Sequence, residues 1–243
     1  MIYDPVFWLL AITGIVITGI SKSGFAGGAG VVAVPLLSFK LGVLEATAIT
    51  LPLLLAMDAQ TLRYYFHSID WAELRRLVPG AILGILAGGF MMGSASDEVL
   101  LLGLGVLSIV FALWTPLQQL FMRFKGARLF WSTLSGLSST LVHAGGPPIN
   151  IYFVSRALSK GAWLATAGAF FATMNAVKLI PYTLNNQWSV HLIVLSLILL
   201  PLAYLGVWLG KRIQGSLNEQ QFMQACRILL LIAGGSLILK VFY

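Results

Sequence analysis

The chain has 243 residues, of which 58% are hydrophobic and only 9% are charged, and its formal net charge at pH 7 is +7. Soluble domains are about 25% charged, and the core of a soluble domain cannot bury so much apolar surface. The composition therefore excludes an ordinary soluble protein and predicts a chain that lies in a lipid bilayer. The distribution of charge matters more than its sum, so the basic excess indicates membrane topology, and we expect no nucleic-acid partner.

Apolar runs separated by glycine, proline and charge clusters predict an all-α, polytopic membrane protein with ten helical elements. Crossing the hydrocarbon layer takes about 20 helical residues, and four of the ten elements are short. We interpret the first and second elements, and likewise the sixth and seventh, as half-helices that flank two Gly-rich breaks. In chain order, the elements are Pro5–Ile20, Val31–Leu41, Leu44–Phe66, Leu74–Met92, Glu98–Leu117, Leu129–Val142, Ile149–Ala157, Ala162–Leu184, Trp188–Leu209 and Glu219–Val241.

Basic residues are distributed unevenly between the two predicted sides of the membrane. Cytoplasmic loops are enriched in lysine and arginine, and the alternation of crossings leaves only Lys40 and Lys240 on the external side. This alternation requires the two elements of each short pair to enter and leave the membrane on the same side. Three full crossings then follow each pair. Each half then crosses an odd number of times, so we expect inverted halves in the inner membrane with both termini external. The predicted cytoplasmic residues are Arg63, Arg75, Arg76, Arg123, Lys125, Arg128, Arg156, Lys160, Lys211 and Arg212.

Glycine patterns predict an internal repeat, because the pair Gly27-Gly28 matches the pair Gly145-Gly146. Inverted repeats with interrupted helices at corresponding positions are typical of transporters whose site lies near the middle of the membrane. A later run in the first half, Gly84, Gly88, Gly93, Ser94 and Asp97, matches Gly206, Gly210, Gly215, Ser216 and Glu219. The chain therefore divides into a first membrane repeat, a cytoplasmic linker and a second membrane repeat, at 1–118, 119–126 and 127–243.

Both Gly-rich breaks have features of an anion site. Non-helical backbone at membrane depth is tolerated where protein or a water-filled cavity satisfies its polar groups. A half-helix that begins after a glycine pair presents free N–H groups and the positive end of its dipole to the space before it, where an anion is stabilised. Small residues also favour close helix packing, so that explanation stays open. Besides the paired glycines, the candidates for binding the substrate are Ser21, Ser23, Ser138, Ser139, Thr140 and Asn150.

Ionisable residues at membrane depth are sharper signals, because a charge there costs several kcal/mol and is tolerated mainly in cavities or ion pairs. Lys22 and His143 lie in the predicted breaks. Since histidine titrates near neutral pH, His143 is a candidate for coupling anion movement to protons. Lys22 and Asp58 lie at similar depths, roughly 24 and 21 Å from the external side at about 1.5 Å per helical residue. We expect them to pair, either as a gate or as a permanent structural pair.

Residues three apart share a helix face, as Asn175 and Lys178 do. Lys178 enters from the opposite side of the membrane and is the poorer partner for Asp58. Under the offset of the glycine pairs, Gln60 matches Lys178, which indicates two related half-sites of different chemistry. These four residues, Asp58, Gln60, Asn175 and Lys178, are candidates for coupling or gating.

At the two breaks the sequence resembles the TauE/SafE family of sulfite and organosulfonate exporters. The resemblance rests on SKSGFAGGAGVVAVPLLS, from Ser21, and on HAGGPPINIYFVSRAL, from His143, and it covers essentially the whole chain. It implies export of small anions such as sulfite and sulfoacetate through the inner membrane. Many members have a longer glycine run in the first motif, where this chain has Ala26 and Ala29. The family's motifs fall on Ser21, Lys22, Gly24, Gly27, Gly28 and Pro35, and on Gly145, Gly146, Pro147 and Pro148.

Two other functions remain as alternatives. A passive anion channel fits the same composition, and an intramembrane serine hydrolase would use Ser23 as nucleophile and His143 as base. An enzyme needs one nucleophile, however, so the duplicated breaks argue against catalysis. We expect a transporter without cofactor or metal, with a small anion and the lipid bilayer as its partners. Protons and sodium are the candidate coupling ions, and a homodimer is the candidate assembly.

Overall fold

In the computed structural model, the described residues form ten α-helices in the predicted order and contain no strand. The structure describes residues 4–24, 32–92, 94, 96–113, 126–154, 156, 158–213 and 219–242. The helices are α1 (Pro5–Gly24), α2 (Ala33–Leu37), α3 (Val43–Tyr65), α4 (Trp71–Met92), α5 (Asp97–Leu113), α6 (Ala127–Val142), α7 (Gly146–Val154), α8 (Lys160–Leu184), α9 (Val190–Ile213) and α10 (Glu219–Phe242). The all-α prediction is confirmed.

Several helices in the described part of the chain have the length and apolar composition that a membrane crossing requires. Large apolar side chains such as Phe90, Leu184 and Val190 are exposed on the outside of the bundle, where lipid solvates them better than water does. The chain is therefore a multi-pass membrane protein. The five candidate spans are Pro5–Gly24, Val43–Ser68, Trp71–Met92, Gly161–Leu184 and Val190–Arg212.

The first helix is longer than predicted, because it continues through Ser21, Lys22 and Ser23 to Gly24. These polar residues remain helical since their side chains find partners inside the bundle. The Ser23 hydroxyl donates to the carbonyl of Val207, at 2.8 Å, and Lys22 pairs with a carboxylate of α3. At 20 residues, α1 has the length and composition of a candidate membrane span, so its predicted end at Ile20 is wrong. The three polar residues lie in its last turn and not in the break.

The two short helices differ from their predicted bounds. The second helix is shorter than predicted, and the seventh begins earlier than predicted. The second helix spans only Ala33–Leu37, because a turn at Ser38–Lys40 ends it. The seventh begins at Gly146, three residues before the predicted Ile149. The two prolines that follow Gly146 are compatible with this start, since the first turn of a helix does not need their N–H groups.

Each short helix returns the chain towards the first residues of the helix that precedes it. Asp4, just before α1, forms an ion pair of 2.8 Å with Lys40, just after α2. The hydrogen bond from Lys40 lowers the pKa of the Asp4 carboxyl. In the second half, Arg128 in the first turn of α6 donates to the Tyr152 hydroxyl near the end of α7, at 3.3 Å. Both contacts agree with the prediction that each pair enters and leaves at one end.

Basic residues group as the topology predicts. The Lys240 ammonium donates to the Ser38 carbonyl at 3.1 Å, two residues from Lys40. At another place, Arg156 and Arg76 approach the Glu73 carboxylate at 3.4 and 3.9 Å. The grouping agrees with the predicted alternation, whereas the side of the membrane that each group faces stays a prediction.

Contacts between helices occur in equivalent pairs. In each pair, both helices of one contact are replaced in the other contact by their counterparts from the other half. Helix α1 packs on α9, while α6, its counterpart in the second half, packs on α4. In the same way, α3 packs on α9 and α8 packs on α4. The contacts of α3 with α8 and of α5 with α10 each join a helix to its own counterpart. The contacts of one half thus have equivalents in the other half.

Glycines matched in sequence hold equivalent helix pairs together. A methyl group at Gly206 would lie 2.8 Å from the Val16 carbonyl oxygen in α1, and one at Gly84 would lie 2.6 Å from the Leu137 nitrogen in α6. Both distances are too short for a side chain. These glycines therefore serve close helix packing, as small residues do in other membrane helices.

Candidate functional site

Five polar side chains from both halves lie close together inside the helix bundle. Each is at most 7% exposed. A buried charge in a membrane is costly unless it has partners, and each of these groups has one. They are Lys22, Asp58, His143, Asn175 and Lys178.

The first half-site, defined as Lys22 and Asp58, is an ion pair between the last turn of α1 and the middle of α3. The contact expected from their depths is therefore confirmed. The second carboxylate oxygen of Asp58 accepts a hydrogen bond of 2.5 Å from the Asn175 amide of α8. Asp58 thus joins helices of the two halves.

The second half-site, defined as Ser139, His143 and Lys178, contains no carboxylate. The Lys178 ammonium donates to the Ser139 carbonyl at 3.1 Å and to the Ser139 hydroxyl at 3.0 Å. It also lies 2.9 Å from Nδ1 of His143. All three partners are neutral oxygen or nitrogen atoms, so an ammonium at Lys178 has hydrogen-bond acceptors but no counter-charge among them.

His143 occupies the break between α6 and α7 in the left-handed conformation, with φ of 55°. This conformation is uncommon for residues other than glycine, although asparagine, aspartate and histidine adopt it more often than the rest, and the side chain of His143 has contacts on both ring nitrogens. Nε2 lies 2.9 Å from the Thr47 carbonyl oxygen of α3. The ring stacks on Tyr182 at a centroid distance of 6.1 Å. His143 therefore connects the second break to the first half of the chain.

A small cavity lies among these groups. Six residues predicted as site candidates line it, namely Lys22, Ser139, His143, Gly145, Gly146 and Asn175. Its volume of about 20 Å³ holds about one water molecule. An anion the size of sulfite is larger than this space, so its binding requires the lining residues to move apart.

Other predicted site residues have structural contacts or lie elsewhere. The Ser138 hydroxyl donates to the Ala144 carbonyl at 3.0 Å and so holds the break. Ser21 and Ser23 are fully buried in α1. Gly145 allows contact with α6, since a methyl group there would lie 2.8 Å from Cβ of Ser139. Gly27 and Gly28 lie outside the described residues.

Gln60 and Asn150 do not line the cavity. The Gln60 amide donates to the Tyr64 hydroxyl at 3.3 Å. The side-chain oxygens of Gln60 and Asn150 are buried without a hydrogen-bond partner among the described residues. The Ser23 hydroxyl and the His143 ring bind different groups, and no hydrogen bond joins them as the hydrolase alternative requires.

Two equivalent hydrogen bonds correct the predicted register of the repeats. The Tyr65 hydroxyl donates to the Ser23 carbonyl at 2.9 Å, and the Tyr182 hydroxyl donates to the Thr140 carbonyl at 2.9 Å. Tyr65 and Tyr182 are as far apart in the chain as Ser23 and Thr140, and this spacing is one residue shorter than that of the glycine pairs. The predicted match of Gln60 with Lys178 is therefore wrong.

In the corrected register, Asp58 matches Asn175, and Thr61 matches Lys178. The segment Met57-Asp58-Ala59 then aligns with Met174-Asn175-Ala176. Lys22 matches Ser139 by the same spacing. The hydrogen bond between Asp58 and Asn175 thus joins two residues that match in this register.

Sequence reasoning missed several groups at the site. The repeated pattern Met-x-Ala-x-x-Leu-x-x-Tyr contained a signal for Tyr182 and its counterpart Tyr65. Leu54 and Phe171 line the cavity, but each lies within an apolar run that gives no sign of this. In the described part of the chain, no three His, Cys, Asp or Glu side chains come together as a metal site requires.

Comparison with known proteins gives one match. A family model described as Sulfite exporter TauE/SafE matches residues 10–237. This range includes both halves and every residue that lines the cavity. No curated protein and no solved structure matches the chain.

Proposed function

Because the chain belongs to the TauE/SafE sulfite exporter family, we propose that it is a secondary transporter that exports small anions such as sulfite, organosulfonates or related small acids. The single observation that carries the proposal is the cavity lined by Lys22, His143 and Asn175 from both halves. Cationic and hydrogen-bonding groups in a water-poor cavity suit a small oxyanion. The family's character as transporters is consistent with a protein that is not an enzyme.

We infer that the two halves are inverted repeats. In support, α6 runs parallel to α4, because Gly80 lies beside Leu129 and Gly88 lies beside Thr140. Helix α4 begins beside the end of α7, because the Tyr152 hydroxyl donates a hydrogen bond to the Glu73 carboxylate. The first half instead begins where Asp4 meets Lys40. In such transporters the site lies between the repeats, which move relative to each other.

Orientation and location follow from the charge distribution. The basic group around Glu73 is proposed to face the cytoplasm, and the contact of Asp4 with Lys40 the external side. Both termini are then external, and the protein lies in the inner membrane. Protons or sodium are the proposed coupling ions, and a homodimer is the proposed assembly.

The small volume of the cavity supports a carrier over a passive channel. A channel needs a continuous water-filled path, whereas a space of about 20 Å³ admits about one water. In a carrier the anion is enclosed before it is released on the other side. We propose that an arriving anion competes for the ammonium groups and so opens one side of the site.

Counterflow in liposomes tests this function. Purified protein is reconstituted, loaded with unlabelled sulfite or methanesulfonate, and given the labelled anion outside. Saturable uptake that depends on the internal anion is expected. A valine at Gly145 should abolish uptake while the protein remains folded, because the added side chain meets Ser139. A control valine at Gly103, which has open space around it, should leave uptake unchanged. Non-saturable flux would show a channel instead.

A further inference from the structure

The charges around the cavity do not cancel. Lys22 lines the cavity and pairs with the carboxylate of Asp58, whereas Lys178 lies behind the lining, against Ser139 and His143. With Lys178 protonated and His143 neutral, the site carries one positive charge. The other acidic side chains whose placement is described have different surroundings: Asp4 binds Lys40, Glu45 and Asp70 accept from backbone N–H groups, Glu73 binds Arg156, and Asp97 and Glu98 are exposed.

The uncompensated charge belongs to Lys178. An ammonium has three N–H donors, and Lys178 has three acceptors within 3.1 Å: the carbonyl and hydroxyl of Ser139, and Nδ1 of His143. The acceptors satisfy its hydrogen bonds but supply no negative charge. Lys22, in contrast, is neutralised by Asp58.

The partners of His143 assign its proton. Nε2 faces the Thr47 carbonyl oxygen, which only accepts, so Nε2 carries a hydrogen. Nδ1 faces the Lys178 ammonium, which donates, so Nδ1 holds a lone pair. Yet Nδ1 also lies 3.0 Å from the Ser139 carbonyl oxygen. A second proton on the ring would therefore find an acceptor already in place, once the ammonium turns away.

We propose that this cavity binds a monoanion, and that a dianion is transported only together with one proton, which His143 takes up at Nδ1. This proposal rests on the transport function proposed above. A monoanion that binds Lys178 neutralises the site. A dianion leaves one negative charge, which is costly in a dry cavity. When the dianion takes the Lys178 ammonium, Nδ1 is released, accepts a proton from the loading side, and donates to Ser139.

Other groups around His143 do not replace it in this role. From α1, Lys22 is held by Asp58 of α3, and from α8 the Tyr182 hydroxyl donates to the Thr140 carbonyl. Thr47 contributes a backbone carbonyl. His143 is therefore the group that gains an acceptor on protonation when the anion binds Lys178.

The test compares methanesulfonate, a monoanion, with thiosulfate, a dianion, between about pH 6 and 8. Proteoliposomes contain a trapped pH dye, and uptake of each labelled anion is measured with the proton flux. Methanesulfonate should move without protons, and its KM should not change with pH. Thiosulfate should move with one proton each, and its KM should rise about tenfold per pH unit where His143 is neutral in the free protein. Transport of methanesulfonate with no thiosulfate uptake at any pH overturns the proton uptake assigned to His143.

A histidine variant provides the second measurement. In His143→Gln the proton count per thiosulfate should fall to zero, and the ratio of thiosulfate to methanesulfonate KM should rise at least tenfold at pH 6. The control is His191→Gln, the same change at an exposed histidine of α9. If His143→Gln does not fold, the number of protons that the unchanged protein moves with each thiosulfate tests the proposal.

The possible failures are distinguishable. Thiosulfate uptake without protons, or methanesulfonate uptake with protons, overturns the charge assignment while the transport function stands. A protein that moves neither probe, nor sulfite, nor any small carboxylate overturns the transport function itself. A proton count in His143→Gln equal to that of the unchanged protein assigns the proton to another group and overturns the role of His143.

Discussion

The two half-sites occupy matching places in the two halves but balance buried charge differently. In both, a tyrosine hydroxyl donates at 2.9 Å to a carbonyl near the end of the first helix, through Tyr65 or Tyr182. The first half-site then holds a cation against a carboxylate, whereas the second holds a cation against neutral groups. The backbone scaffold is thus repeated, and the charge is not. The comparison teaches that the second half-site is the one available to an anion.

The largest expected effect is that of Lys178→Met, which removes the only uncompensated charge in the second half-site. A hydrogen bond to a charged group contributes up to about 3 kcal/mol, so kcat/KM for methanesulfonate should fall roughly a hundredfold. Part of the loss should be recovered at acid pH, because His143 can then carry the charge. Counterflow at two pH values measures both effects. Lys240→Met, outside the cavity, is the control, and equal losses in the two variants would contradict the comparison.

The first half-site should govern stability more than affinity. Asp58→Asn leaves the Lys22 ammonium without its counter-charge, and removing one partner of a buried pair costs about 3–5 kcal/mol. Thermal unfolding in detergent should show this loss, and the double variant with Lys22→Met should recover most of it. The control is Asp97→Asn, at an exposed carboxylate. A stable single variant would show that the pair is not structural.

The same variant also sharpens the contrast in charge. With Asp58→Asn, the ammonium groups of Lys22 and Lys178 remain at the site without a carboxylate. Thiosulfate should then bind without a proton, and its KM should become independent of pH. A retained dependence on pH would show that Asp58 does not contribute to the charge that the anion meets.

The smallest expected effect compares the two tyrosines. Tyr65→Phe and Tyr182→Phe each remove one equivalent buried hydrogen bond, so each should lower the free energy of unfolding by about 1 kcal/mol. Tyr182 also stacks on His143, but phenylalanine keeps that ring, so neither variant should change the proton count for thiosulfate. Unfolding and proteoliposome assays measure the two quantities, and a changed proton count in either variant would contradict this expectation.

Much of this arrangement was predictable from the sequence, because it depends on length and depth. Apolar runs predicted ten helices in order, and the rise per residue predicted the contact of Lys22 with Asp58. The end of α1 was missed, since polar residues such as Ser23 remain helical only through partners in another helix, here Val207. No local pattern shows that partner.

The second half-site was harder to predict. His143 contacts a backbone carbonyl, that of Thr47, and backbone atoms leave no trace in composition. The register was wrong at Gln60 because the glycine pairs and the tyrosines differ by one residue in their spacing. A one-residue shift at the break therefore misassigns every side chain on the matched helix.

The contact between Asp58 and Asn175 bears on how a protein of this kind arises by gene duplication. A symmetric homodimer has two copies of every residue, so the charge around its axis is always even. Two copies of the first half would place two aspartates together, balanced by two lysines, and two copies of the second would place two lysines there with no acid. A single positive charge exists only when the copies differ. A site of odd charge therefore requires two different halves, which this chain supplies within one polypeptide.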